Sequence, residues 1–372
     1  MSERKELVRH YIAKGLTRDI ALGIADVSKH QYYYTSTSKP RGRKPDLQTP
    51  CQKSGESMQT VDEQTVVKEI KRIKTAPEIE DYGYRKVWVA LMLLGYRINH
   101  KKVYRIMNAY QLLNDRHHRP SRQYVKYRKV CPNGPLEVLE MDIKYQWVEQ
   151  HSCHSFILTI LDTFTRATLH WEVGYTMKQA QIKRAWEKVI VNYLQPADML
   201  SKGVHIEIRN DNGSQFAAKM IQQFFKDNYL HQVFTHPYTP QENGHIESFH
   251  AILGRSLDQR RFFTIQDLEQ HLKVFYRIYN EKRLHGSIAY LPPMRFWKLW
   301  NENLIERKEM KHHKVKFKLK IPYQQLSGNG NRREASCYSL PVLDGQVKNQ
   351  KKVIRPESLQ PSVQRSPSVT SC

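Results

Sequence analysis

The spacing of apolar residues changes once along the chain, from helical periods to strand runs near residue 136. From Glu6 to Tyr34 the pattern predicts two short helices around a turn. Thr17 can cap a helix carrying Ile20, Ala21 and Ile24, Asp26-Val27-Ser28 breaks it, and Ser28 caps the next helix, Lys29 to Tyr34. That is helix-turn-helix geometry, in which the second helix would enter a major groove with Lys29, His30 and Gln31 nearest the bases. A helical hairpin that binds nothing is the alternative. Lys39-Pro-Arg41-Gly42-Arg43-Lys44-Pro45 follows, an extended basic segment resembling an AT-hook, with general phosphate attraction as the plainer reading. Polar residues 46–60 read as linker. Val61 to Leu113 is helical again, with Ile70, Ile73, Val87, Val89, Leu91, Leu93 and Leu94 as core candidates. Gly95 to Asn99 is a turn, Asn99 can cap the helix after it, and His100, Lys101, Lys102 and Arg105 give that helix a cationic side.

From Leu136 the run Leu136, Val138, Leu139, Met141 and Ile143, then 155–163 and 167–173, predict three consecutive strands. A helix over 178–193, a strand over 205–208, a helix over 215–228, a strand over 232–235 and a long helix from about Glu242 complete the series. The order βββαβαβα is that of an α/β core of RNase H-like fold, here preceded by all-α helix-turn-helix units. Near the C-terminus Lys314, Lys316, Lys318 and Lys320 alternate with Val315, Phe317, Leu319 and Ile321, a small basic β segment able to track phosphates or simply to stay solvated. The expected organisation is 1–38 helix-turn-helix, 39–60 basic linker, 61–115 second helical DNA-binding domain, 116–134 linker, 135–300 core, 301–351 basic β segment and 352–372 tail.

Charge narrows the partner. The 372 residues hold 60 Lys and Arg against 36 Asp and Glu, a net charge of +24, of which +10 falls within residues 1–120. Such an excess usually faces a polyanion, so double-stranded DNA leads. No apolar run is long enough to span a bilayer and the N-terminus lacks a signal-peptide pattern, so the expectation is an intracellular protein without a membrane partner. Five widely spaced cysteines suit reduced thiols, and His151-Ser-Cys153-His154 lacks the second ligand pair that structural zinc requires. No Gly-rich phosphate loop is present, so no nucleotide cofactor is expected.

Three acids carry the candidate chemistry. Asp142 interrupts the first apolar strand, where a carboxylate is costly unless paired or bound to a cation. Asp211 lies just past the fourth strand, and Glu247 about one turn into the last helix. Two carboxylates at strand ends and a third on a crossing helix can converge as hard oxygen ligands for two divalent ions. Met-Asp142-Ile-Lys-Tyr, Asn-Asp211-Asn-Gly-Ser-Gln-Phe and Pro-Tyr-Thr-Pro-Gln-Glu-Asn-Gly-His-Ile-Glu247-Ser-Phe-His, with 35 residues between Asp211 and Glu247, resemble the catalytic core of retroviral integrases and bacterial insertion-sequence transposases. Tyr279-Asn280-Glu-Lys-Arg283-Leu-His285 and Leu291-Pro-Pro293 resemble the end of that core in the insertion-sequence-three family. Tyr82-Gly-Tyr-Arg85-Lys through Asn99-His100-Lys-Lys-Val-Tyr104-Arg105 resembles the helical domain before it. Two features depart from the resemblance. Many such enzymes carry Lys or Arg seven residues after the Glu, where this chain has Gly254 with Arg255 one place later, and no His-His-Cys-Cys zinc domain precedes the core.

The resemblance implies a bacterial DDE transposase using Mg²⁺ or Mn²⁺, two ions per site. Asp142 would bridge both ions, with Asp211 and Glu247 each completing one. Such an enzyme cuts at terminal inverted repeats, joins 3′-hydroxyl ends to new DNA, works as a dimer or larger assembly on DNA, and resides in the cytoplasm with the nucleoid. A DNA-binding regulator with a repurposed core and a purely hydrolytic nuclease are the competing readings. Arg85, Asn243 and Arg255 are added as DNA contacts, and His236, His245 and Lys144 as weaker ones, whereas Asp162 is expected to turn the chain or pair with Arg166.

Overall fold

The computed structural model describes residues 2–34, 46–53, 56–75, 79–115, 130–236, 239–310 and 314–326. The expected groove-binding residues Arg41, Arg43 and Lys44, and the tail 352–372, lie outside these described residues. The chain divides into two compact units, residues 1–47 and 48–372.

The first unit holds α1 (Ser2–Ala13), α2 (Arg18–Ile24) and α3 (Lys29–Tyr33) around a small core of Val8, Ala21, Leu22, Ala25 and Val27. Ser28 caps α3 as its sequence suggests: its hydroxyl accepts the Gln31 N–H at 3.2 Å and the Gln31 side chain accepts the Ser28 N–H at 2.9 Å. Of the apolar residues on α2, Ile20 and Ile24 are exposed, while Ala21, Leu22 and, just past the helix, Ala25 are buried.

The second unit begins with the pair β1 (Thr49–Cys51) and β2 (Gln59–Val61), then α4 (Glu63–Thr75), α5 (Tyr84–Leu93) and α6 (His100–Ala109). Ile70, Ile73, Val87, Val89 and Leu91 are buried there, whereas Leu94, one place past α5, is exposed. Asn99 caps α6 by accepting the Lys101 N–H at 2.9 Å.

The central sheet contains β3 (Val138–Val148), β4 (Cys153–Asp162), β5 (Thr168–Gly174), β6 (Ile206–Asn210) and β7 (Leu230–Phe234) in the spatial order β5-β4-β3-β6-β7. The first three strands are antiparallel, and β6 and β7 join in parallel after crossovers through α7 (Gln179–Val189) and α8 (Lys219–Asp227). This is the strand order of an RNase H-like fold. Side chains alternate across the pleat, so Leu139, Met141, Leu158 and Ile160 pack with Trp186 and Phe225 of α7 and α8. Val148, Ile157 and Leu161 pack on the opposite face with α9 (Gly244–Asp258) and α10 (Ile265–Glu281). Asn280, near the end of α10, accepts the Thr168 N–H at 2.9 Å and donates to the Thr168 carbonyl at 2.9 Å, pinning that helix to β5. Finally α11 (Pro293–Asn301) precedes the antiparallel pair β8 (Ile305–Met310) and β9 (Lys314–Leu319). Phe317 and Leu319 pack inward there while Lys316 and Lys318 are exposed, as period-two alternation dictates.

Candidate active site

Parallel pairing of β3 and β6 aligns Val138 with Glu207, Leu139 with Ile208 and Glu140 with Arg209. Asp142 and Asp211 each lie two residues beyond the last of these pairs, so both leave the same end of the ladder. β6 stops at Asn210, and Asp211 turns the chain by accepting the Gly213 N–H at 3.0 Å. Ligand crevices in α/β sheets open at such places, where neighbouring strands part. Glu247 is exposed in the first turn of α9, and α9 crosses β3.

The fit between β3 and α9 is a comb. Alternate strand residues Glu140, Asp142 and Lys144 face helix residues His245 and Ile246, then His250, then Gly254. Two strand residues advance ~6.8 Å and four helix residues ~6 Å, so the two periods nearly match. At the first tooth the wholly buried Glu140 accepts the Ile246 N–H at 2.6 Å and meets His245 Nδ1 at 2.8 Å. Its carboxylate thereby satisfies a donor of the first turn of α9. Burial pushes the pKa of Glu140 up to about 7, against the pull of the Ile246 N–H and the charges of Arg166 and Arg209. At the second tooth His250 Nδ1 stands 3.2 Å from Asp142 Oδ2, while Asp142 Oδ1 accepts the Ile143 N–H at 2.7 Å. At the third, the Lys144 side chain lies over Gly254.

Asp142, Asp211 and Glu247 offer only carboxylate oxygens, the donor set of a hard divalent cation. Among the described residues no three His, Cys, Asp or Glu side chains are gathered closely enough to hold one ion, since Asp142 and Asp211 are engaged with local donors. The chemistry of the donor set therefore fits Mg²⁺ or Mn²⁺, and binding would have to draw the side chains away from those partners.

Other residues singled out in the sequence have varied surroundings. Asp162 is buried and accepts N–H bonds from Leu136, Phe164 and Thr165 at 3.1, 3.3 and 3.0 Å, so it builds the turn after β4. His236 Nδ1 contacts Glu242 at 3.0 Å, and His245 contacts Glu140, so both hold the loop and helix around the site. Asn243 is buried at the entrance of α9, contrary to an expected DNA contact, because the turn before that helix folds it inward. Arg255 is drawn to Asp81 Oδ2 at 3.1 Å, beside Arg283 at 2.6 Å from the same oxygen. The cationic side of α6 is also partly spent inside the fold: Arg105 pairs with Glu63, Lys102 donates to the Gln48 carbonyl at 2.6 Å and His100 packs edge-on against Trp88. Lys101 is exposed, and exposed Arg85 rests against Tyr84. In the first unit Lys29 and His30 are exposed, whereas Gln31 is committed to the cap of α3.

Glu140 and His250 were not anticipated from sequence, although a signal existed. Glu140 interrupts the same apolar run as Asp142 two residues earlier, and His250 follows Glu247 by three residues, hence nearly one helical turn.

A family model described as an integrase core domain matches residues 132–240, and a second of the same description matches 229–293. Residues 132–293 are thus similar to integrase core domains. An HTH-like domain matches residues 61–120, ahead of that integrase core. Among curated proteins, the insertion element IS476 uncharacterized 39.2 kDa protein of Xanthomonas euvesicatoria is 23% identical over 217 residues, 58% of this chain. The match spans 60% of the length of that relative. Transposase InsD for insertion element IS2D of Escherichia coli (strain K12) is 28% identical over 237 residues, 59% of this chain and 74% of the relative. Among solved structures, a chain of the simian T-cell lymphotropic virus intasome is 14% identical with a TM-score of 0.39, covering 60% of this chain and 74% of its own. The Mos1 mariner transposase catalytic domain is 14% identical with a TM-score of 0.34, covering 44% and 74%. No helix among the described residues is long and apolar enough to cross a membrane.

Proposed function

We propose that the chain is a DNA transposase of an insertion sequence, which binds the element's terminal inverted repeats, cuts there, and joins the 3′-hydroxyl ends to target DNA. The observation that carries this reading is that Asp142 on β3 and Asp211 just past β6 both lie beyond the last pair joining those parallel strands, with Glu247 in the first turn of α9, which packs on β3, inside residues matched by integrase core models. The HTH-like domain, the net charge of +24 and the transposase names among the relatives support it.

Asp142, Asp211 and Glu247 would hold two divalent ions, Mg²⁺ or Mn²⁺, which when bound activate the attacking oxygen and neutralise charge at the scissile phosphate. The protein's own part is placement. Glu140 and His245 fix the first turn of α9 and with it Glu247, and His250 holds Asp142 until the ligands assemble. In the reaction a water or a 3′-hydroxyl oxygen bonds to phosphorus, the P–O bond opposite breaks, and the leaving 3′-oxygen takes up a proton. The helical units at 1–38 and 61–115 would hold the ends, and joining two ends calls for at least a dimer on DNA. Such an enzyme would act in the bacterial cytoplasm, at the nucleoid.

The test is a strand-transfer assay with purified protein, DNA carrying the element's ends and Mg²⁺ or Mn²⁺, with Glu247→Gln as control. Joined products from the wild type alone are expected. End binding without joining by the wild type would turn the reading towards a regulator, and cutting without joining towards a nuclease.

A further inference from the structure

The third tooth of the comb has an unusual construction. Gly254 sits in the interior of α9, where glycine costs a helix roughly 1 kcal/mol relative to alanine, so its place calls for a local reason. A Cβ built at Gly254 would stand 3.4 Å from Lys144 Nζ and 3.6 Å from Lys144 Cε. The end of the lysine side chain therefore lies against α9 at Gly254, within ordinary van der Waals reach of where a Cβ would stand. Lys144 is two residues beyond Asp142 on β3, so both side chains leave the same face of the sheet. Asp142 is engaged with His250, and among the described residues no carboxylate pairs with Lys144. A half-buried ammonium is thus held beside a carboxylate centre without being neutralised by it.

We propose that Lys144 is a substrate-binding residue, placed against α9 at Gly254 and on the Asp142 face of β3, to grip a DNA phosphate next to the one that reacts. A lysine acts on phosphate as a point charge, and its position matters more than the element that supplies it. The assignment rests on the transposase reading for the identity of the DNA, but not for the contact itself.

Two measurements test it. In the Glu247→Gln background, affinity for end DNA is followed against salt. Each phosphate contact contributes about 0.9 to the slope of log K against log salt, so Lys144→Gln should flatten the slope by about one contact. In the active protein, Lys144→Gln should slow joining by roughly tenfold or more, the scale of one lost charge-assisted bond. Lys144→Gln combined with Gly254→Lys, which returns the charge from the helix side, should recover both readouts in part. An unchanged slope together with unchanged joining by Lys144→Gln overturns the assignment and leaves the transposase reading standing. A flattened slope in a protein whose wild type never joins ends overturns the transposase reading and leaves the phosphate contact standing. Circular dichroism of Lys144→Gln matching wild type separates either result from misfolding.

Discussion

Single side chains in this protein tie neighbouring layers together, and Glu172 is one whose contribution can be isolated. It lies on β5 with His170 Nε2 at 3.2 Å and Lys188 Nζ, from α7, at 2.8 Å. Burial by itself would raise its pKa, but the bonds to His170 and Lys188 outweigh that and hold it down at about 2. A carboxylate depressed in this way lends stability that is complete above its unfolded value near 4.5 and disappears as the pH falls towards 2. Chemical denaturation of wild type and Glu172→Gln across pH 2 to 7 should show the wild type's advantage full at pH 6 and vanishing by pH 2. An advantage independent of pH would mean that packing of the side chain, rather than its charge, joins β5 to α7.

Between β3 and α9 the unit of function is the match of two periods. Inserting one alanine after Ser248 would leave Glu247 in the first turn but rotate everything beyond by ~100° around the helix. His250 and Gly254 would then leave Asp142 and Lys144, and Phe249 and Leu253 would leave their core. Joining in the strand-transfer assay should fall below detection, and stability should drop by about 3 kcal/mol or more in urea unfolding, the scale of lost core packing. Much of this architecture is legible in sequence. The strand runs from Leu136 to Val173 can be located by period, Asp142 by the cost of a carboxylate in an apolar strand, and Asp211 by its place just past the fourth strand. The faces of short helices are less legible: with only seven residues in α2, two stripes compete, and tertiary packing chose Ala21, Leu22 and Ala25 over Ile20 and Ile24. Long-range pairs such as Lys102 with Gln48 or Arg255 with Asp81 cannot be read from local pattern, because the partner is fixed by the fold and not by spacing.

Within the second unit, Asp81 and Tyr82 fasten the helical segment to residues of α9 and those just past α10. Asp81 receives Arg255 and Arg283, Tyr82 OH accepts the Leu284 N–H at 2.5 Å, and Leu284 is buried in the core built by α4, α5 and α6. Arg283 is nearly wholly buried, so Asp81→Ala would remove a carboxylate it meets at 2.6 Å. Calorimetry should find the variant less stable by about 1–3 kcal/mol, the scale of a lost hydrogen bond to a charged group. This fastening also bears on how the molecule can be dissected. A fragment cut at residue 135, where the strand pattern begins, would bare Leu284 to water and remove the Asp81 carboxylate from Arg283. The smallest autonomous piece of the catalytic half should instead start upstream of Glu80.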